Sequence, residues 1–75
     1  MSLNLNAVAI AQEFHRAYEE LAPGYGYKTR DESAVPWQEV PPANRQLMEA
    51  TVEQLLELGV IQPGPRTKEI LDAAF

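Results

Sequence analysis

Residues 6–21 read NAVAIAQEFHRAYEEL, and apolar side chains recur in this stretch at intervals of three and four. Such spacing is typical of an amphipathic helix that turns one face toward a core. Asn4 or Asn6 can cap its start, and the helix is expected to end at Ala22–Pro23–Gly24 because the residue before a proline avoids the helical conformation. The recurring positions are Ala7, Ile10, Ala11, Phe14, Ala17, Tyr18 and Leu21.

A second apolar face follows in residues 41–58, where two prolines suit a first helical turn and Gly59 suits the position after the last turn. Residues 67–74 predict a short third helix, which would be marginal alone and must dock or pair. The sequence therefore predicts an all-α domain, with two antiparallel amphipathic helices and a short C-terminal helix. The apolar face of the second helix comprises Leu47, Met48, Thr51, Val52, Leu55, Leu56 and Leu58.

Residues 22–40 join the two main helices, and from residue 24 onward they read GYGYKTRDESAVPWQEV. The segment lacks clean polar–apolar alternation, so at most a short extended pair is expected in it. Loops of this length in small domains are usually functional or disordered, and Tyr25, Tyr27 and Trp37 argue against disorder. We therefore expect a long, ordered, aromatic-rich loop that packs over the helices.

Length and composition narrow the possible functions. The chain has 75 residues, enough for one domain with a thin core, and it contains no cysteine. The N-terminal residues lack the pattern of a signal peptide, and no apolar run is long enough to cross a membrane. A cytoplasmic protein is the expectation. A net charge of −5 disfavours general nucleic-acid binding.

The aromatic residues around the linker are the main candidates for a binding site. Tyr18, Tyr25, Tyr27 and Trp37 are expected to surround Lys28 and Arg30. Aromatic faces stack planar rings, and a neighbouring cation can hold a phosphate. The alternative is that these rings complete a small core. Core packing is favoured for Trp37. For Tyr25 and Tyr27, which lie beside glycines, binding and packing are equally favoured.

Catalysis and metal binding receive little support from the sequence. His15 is the one histidine, and it either lines a site or makes a hydrogen bond at the edge of the apolar face. Nucleophilic catalysis needs a nucleophile, a base and an orienting group, and no such arrangement is indicated. We expect a non-enzymatic protein without a cofactor or a metal site.

Four short motifs occur in a fixed order along the chain. His15 and Tyr18 come first, followed by Gly24–Tyr25–Gly26–Tyr27 and Val35–Pro36–Trp37, and the last is Val52–Glu53–Gln54–Leu55–Leu56–Glu57–Leu58–Gly59. In this order they resemble the RyR domain, the repeat named for ryanodine receptors and also found in bacterial and phage proteins. The resemblance covers about residues 7–61. The family typically has tryptophan where this chain has tyrosine in the second motif.

The resemblance implies a non-catalytic helical module that binds a nucleotide-like small molecule. In the receptor, paired repeats form an adenine-nucleotide site in which the turn aromatic stacks on the base. Carried to this sequence, Tyr25 is the stacking residue, with His15, Tyr18 and Tyr27 beside it, and Trp37 braces the loop. Because the chain holds one repeat, the resemblance also implies a homodimer or a larger homo-oligomer.

We also expect Lys28 and Arg30 to bind the phosphate, because both are positively charged. They are not part of the family motif. Several prokaryotic members have been proposed to sense nucleotide-derived signals in phage–host conflict, so the chain is expected to sense or sequester such a signal. The alternative is a protein–protein interaction module, or a phage accessory or structural protein without a small-molecule ligand. That alternative predicts an exposed apolar patch, for example Leu56 with Leu58 or the third helix.

Overall fold

The computed structural model describes residues 4–32 and 34–66, and all regular structure in these residues is helical. The predicted helical class with two main helices is confirmed, and no strand forms within the described ranges. The predicted third helix lies outside them. In chain order the elements are α1 (Leu5–Leu21), a first 3₁₀ helix (Ala22–Tyr25), a second 3₁₀ helix (Trp37–Glu39) and α2 (Pro42–Glu57).

Helix α1 begins with a side-chain cap. The Asn4 backbone is extended, and its side-chain oxygen accepts a hydrogen bond of 3.1 Å from the Ala7 backbone N–H. This bond satisfies one of the donors that the first turn of a helix leaves free, and such caps contribute about 1 kcal/mol. Of the two asparagines that the sequence offered, the structure uses Asn4.

Helix α1 ends at Leu21 as expected, but the expected reason for this end is wrong. Ala22, although it precedes a proline, keeps a helical backbone, and the chain tightens into the first 3₁₀ helix. The reversal comes at Gly26, whose φ of 77° is readily accessible to glycine alone. The Gly26 N–H bonds to the Pro23 carbonyl at 3.2 Å and the Tyr27 N–H to the Ala22 carbonyl at 3.0 Å. This pair is a Schellman motif, and it turns the chain back along α1.

Helix α2 starts and ends as the sequence indicates. Pro42 occupies the first turn, where its missing N–H costs nothing, and Gly59 follows the last turn with a φ of 74°. The Gly59 N–H bonds to the Leu56 carbonyl and the Val60 N–H to the Leu55 carbonyl, each at 3.1 Å. The second helix therefore ends in another Schellman motif. Neither α1 nor α2 is long and apolar enough to cross a bilayer.

The core forms where the first half of α1 meets α2 and the second 3₁₀ helix. Its small residues on α1 are Ala7 and Ala11, which pack with Trp37, Val40 and Val52. Alanines allow the close approach that a short chain needs to bury a large ring. Partly buried residues surround this centre: Ile10, Val35, Met48, Leu56 and Ile61.

Two expectations about packing are wrong. The large apolar residues in the second half of α1 were expected to face the core, but Phe14, Tyr18 and Leu21 are each at least half exposed. Val8 and Ala9, which lie off the predicted stripe, are buried instead. In addition, residues 22–40 are not one irregular loop, because a 3₁₀ helix occupies each end.

Candidate functional site

His15 anchors the linker to α1. The side chain is buried, at 7 % exposure, and its Nε2 lies 2.7 Å from the Val35 carbonyl oxygen, 20 residues along the chain. A carbonyl only accepts hydrogen bonds, so Nε2 must carry the proton. The Trp37 ring lies beside the imidazole, with 5.7 Å between ring centroids. The boundary hydrogen bond that the sequence allowed is therefore present, and it fixes the C-terminal arm of the linker.

A second anchor lies one turn further along α1. The Thr29 hydroxyl donates a hydrogen bond of 2.6 Å to a carboxylate oxygen of Glu19. A bond to a charged acceptor is stronger than one between neutral groups. Because Thr29 lies between Lys28 and Arg30, this contact places both cations beside the second half of α1.

The cationic cavity is an open depression of about 370 Å³ beside α1 and the start of α2. The structure brings four of the seven sequence-predicted site residues to it: His15, Tyr18, Lys28 and Arg30. Two cations face one carboxylate in its lining, and Glu19 is already engaged by a hydroxyl. The full lining is Phe14, His15, Tyr18, Glu19, Lys28, Thr29, Arg30, Asn44 and Met48.

The tyrosine cavity adjoins the cationic cavity and shares one wall with it. It is an open, mainly apolar depression of about 540 Å³, and the side chain common to both cavities is Tyr18. Tyr25 and Tyr27 are 78 % and 69 % exposed, so other side chains of the protein leave most of their ring surface uncovered. Among the described residues, none that lines this space is charged, and the lining comprises Tyr18, Leu21, Ala22, Tyr25 and Tyr27.

The expected single aromatic cluster is wrong. Trp37 is 8 % exposed and packs in the core beside His15, while Tyr25 and Tyr27 lie in the tyrosine cavity without a ring contact to Trp37. Trp37 does line a separate depression of about 320 Å³ between α1 and the second 3₁₀ helix. Its burial agrees with the packing role that the sequence favoured.

Charged groups on the opposite side of α1 pair with one another. The Arg16 guanidinium bonds to Glu13 at 2.5 Å and to Glu20 at 2.7 Å. The hydrogen bond from Arg16 lowers the pKa of Glu13 below its usual value of 4.5, against a smaller opposing effect of burial. The two carboxylates also raise the pKa of the Arg16 guanidinium. This exposed network stabilises the surface of α1 and lies outside both candidate cavities.

Several lining residues were not singled out by sequence reasoning. Phe14 stacks on Tyr18, with centroids 5.9 Å apart and planes inclined by 22°. The signal for this pair was its i, i+4 spacing on a helix, which places side chains side by side. Thr29 had no such signal, because its contact with Glu19 depends on the path of the linker. Within 4–32 and 34–66, no three acidic or histidine side chains converge in a way that could hold a metal ion.

No protein-family model matches this chain. No curated protein and no solved structure matches it either.

Proposed function

We propose that this protein is a non-catalytic binding module for a nucleotide-like small molecule. The observation that carries the proposal is the adjacency of two unlike cavities with Tyr18 as their common wall. One offers exposed aromatic faces without charge, and the other offers Lys28 and Arg30. A nucleotide has the same division, with a planar base at one end and an anionic phosphate at the other.

The tyrosine cavity suits the base. Stacking of a base on an aromatic ring contributes about 1–3 kcal/mol and requires an accessible ring face. Tyr25 is the most exposed of the three tyrosines, which supports the stacking role that the RyR resemblance implies for it. The combined size of the two cavities lies within the usual range for small-molecule sites.

The cationic cavity suits the phosphate. The Thr29–Glu19 bond holds the linker between the two cations, so little ordering is needed when an anion arrives. His15 holds the linker in place at this site, because its Nε2 donates a hydrogen bond to the Val35 carbonyl and its ring contacts the Trp37 ring. In this proposal His15 positions the linker and Trp37 braces it.

The proposed biological role rests on the RyR resemblance. The chain is a small RyR-like protein of a phage or a bacterium that senses or sequesters a nucleotide-derived signal. We also propose that α1 and α2 are antiparallel. Tyr18 near the end of α1 and Asn44 near the start of α2 line one cavity, as antiparallel helices would place them.

A thermal-shift series with mono-, di- and cyclic nucleotides tests the proposal. A ligand at a hundred times its Kd adds about 2.7 kcal/mol to the stability of the form that binds it. For a chain of this length, the melting temperature should then rise by about 10–20 °C. A nucleoside that lacks the phosphate should give a smaller rise than its monophosphate.

Variants assign the two halves of the site. Tyr25→Phe keeps the ring and should keep the shift, whereas Tyr25→Ala should abolish it while the protein stays folded. Arg30→Gln should weaken the response to the monophosphate and leave the response to the nucleoside unchanged. A wild-type protein that shows no shift with any nucleotide would refute the proposal.

A protein–protein interaction module is the second candidate, and the exposed apolar side chains of α1 favour it. The patch expected at Leu56 and Leu58 is only half present, because Leu58 is exposed but Leu56 packs against the core. The larger apolar surface lies instead at Phe14, Tyr18 and Leu21. Leu21→Glu should weaken the binding of a protein partner at this surface, and nucleotides should not affect that binding.

A further inference from the structure

Five large apolar side chains form a continuous exposed surface, here called the apolar strip. Each is between 50 % and 78 % exposed. Phe14 stacks on Tyr18, and Tyr18 shares the tyrosine cavity with the other three, so the surface has no break. Its members are Phe14, Tyr18, Leu21, Tyr25 and Tyr27.

The spacing of the strip matches a helix-pairing seam. On α1, Phe14, Tyr18 and Leu21 follow one another at intervals of four and three residues, and Tyr25 lies four residues further on, in the first 3₁₀ helix. Alternation of three and four is the spacing at which one helix packs its side chains into another in a coiled coil. Helix α2 covers a different part of α1, at Ala7 and Ala11. Within the described residues, the second half of α1 therefore presents a seam without a matching helix.

We propose that a second copy of this chain covers the apolar strip and forms a two-fold symmetric dimer. A side chain of this kind offers about 200 Å², so the exposed fractions correspond to about 600 Å² on each copy. Two copies would then bury about 1,200 Å², which is the lower limit for a stable, specific interface. A patch of about 600 Å² is also at the upper end of what monomeric proteins expose.

Composition and symmetry favour a second copy as the occupant. Tyrosine and phenylalanine are enriched in the centres of protein interfaces, and charged residues are depleted there. The strip has this composition, and none of the residues described around the tyrosine cavity is charged. A two-fold interface must be self-complementary, and a seam of large apolar residues can pack against an identical seam. Tyr18 lies near the middle of the strip and is expected close to the two-fold axis.

Charge sets the conditions under which the dimer forms. Each copy carries a net charge of −5, so two copies repel one another at long range. Apolar contact must overcome this repulsion, and salt screens it. We therefore expect the dimer to tighten as the salt concentration rises, opposite to an association held by ion pairs.

The dimer shares the tyrosines with the proposed function but does not depend on a ligand. The dimer covers the ring faces of Tyr25 and Tyr27 that the proposed function assigns to the base, so a nucleotide and a second copy of the chain compete for the tyrosine cavity. The two proposals are measured separately, by sedimentation without nucleotide and by thermal shift with it. A dimer without a nucleotide response would refute the proposed function alone, and a monomer with a response would refute the dimer alone.

Sedimentation equilibrium of a matched pair of variants provides the test. Leu21→Glu places a carboxylate in the strip, and Leu58→Glu makes the same change outside it. Both leucines are exposed, and each lies at the C-terminal end of a helix, Leu21 as the last residue of α1 and Leu58 as the C-cap of α2, so the effect of the new charge on the helix end is similar. The wild type should dimerise, Leu58→Glu should match it, and Leu21→Glu should raise the dissociation constant by about 30-fold or more.

A second variant guards against unfolding. Phe14→Gln changes the N-terminal end of the strip, two strip positions before Leu21, and should also weaken the dimer, while circular dichroism reports whether each variant stays helical. A wild-type protein that is monomeric at about 1 mM would overturn the proposal, because the interface would then be weaker than its area requires. Folded Leu21→Glu and Phe14→Gln proteins that associate like the wild type would overturn it as well.

Discussion

Trp37 is the aromatic residue in the buried core of the described chain, and replacing it with alanine tests the core directly. The side chain offers about 250 Å², and at 8 % exposure nearly all of it is buried. At about 25 cal/mol per Å², this burial corresponds to an upper limit of about 6 kcal/mol. Measured tryptophan-to-alanine changes in cores cost about 3–5 kcal/mol, because the surroundings partly collapse into the cavity.

The expected loss is large relative to the stability of the domain. At about 0.05–0.15 kcal/mol per residue, 75 residues give a total of about 4–11 kcal/mol. Trp37→Ala should therefore remove about a quarter of this stability or more. Urea unfolding followed by circular dichroism measures the effect without relying on tryptophan fluorescence, which the substitution abolishes.

Tyr25→Ala is the control for this measurement. Tyr25 is 78 % exposed in the single chain, so at a protein concentration low enough to keep the chain monomeric its truncation should change the free energy of unfolding by less than about 0.5 kcal/mol. The reasoning would be refuted if Trp37→Ala cost less than about 1 kcal/mol, or if Tyr25→Ala cost as much. The second result would place Tyr25 in the core and remove it from the candidate site.

Three further predictions concern the linker and the surface of α1. His15→Leu leaves the Val35 carbonyl without its donor and should cost about 1–3 kcal/mol in urea unfolding, whereas His15→Gln, which retains a donor, should cost less. Gly26→Ala should destabilise the protein by about 1–2 kcal/mol because of its positive φ, while Gly24→Ala, with open space around it, should be neutral or stabilising; equal effects would contradict this account. The lowered pKa of Glu13 means that its contribution is complete above pH 4.5 and is lost as the pH falls through the folded-state pKa; Arg16→Ala should reduce the acid-side slope of melting temperature against pH, and an unchanged slope would contradict the assignment.

The sequence predicted the local structure of the helices well, because their signals are local. Apolar periodicity indicated α1 and α2, and the prolines and Gly59 indicated where α2 begins and ends. Asn4 and Asn6 were both suitable N-caps, and the sequence alone did not show at which of them the helix begins. The helical state of Ala22 was missed because tightening into a 3₁₀ helix satisfies the backbone despite the following proline.

Burial was predicted less well than helicity. A periodic stripe identifies one face of a helix, but it does not show which part of that face another element covers. On α1, the alanines at one end of the stripe are buried, and Phe14, Tyr18 and Leu21 at the other end are exposed. The apolar strip is a consequence of this uneven cover, so the sequence could not reveal it.

The candidate site was predicted in part, for a related reason. His15, Tyr18, Lys28 and Arg30 line one cavity because the Thr29–Glu19 contact folds the linker along α1. That contact joins residues ten positions apart, and no local pattern announces it. Trp37 was grouped with the tyrosines because it is near them in sequence, but it packs in the core, where its ring contacts His15.

An NMR titration of the ¹⁵N-labelled protein with the nucleotide that gives the largest thermal shift tests whether the two cavities on either side of Tyr18 together bind one nucleotide. If they do, the backbone amides of Tyr18, Tyr25, Tyr27, Lys28 and Arg30 should show saturable shifts, and those of Leu58 and Val60 should not change. Saturable shifts confined to amides outside the two cavities, or no shift at any amide, would contradict this expectation.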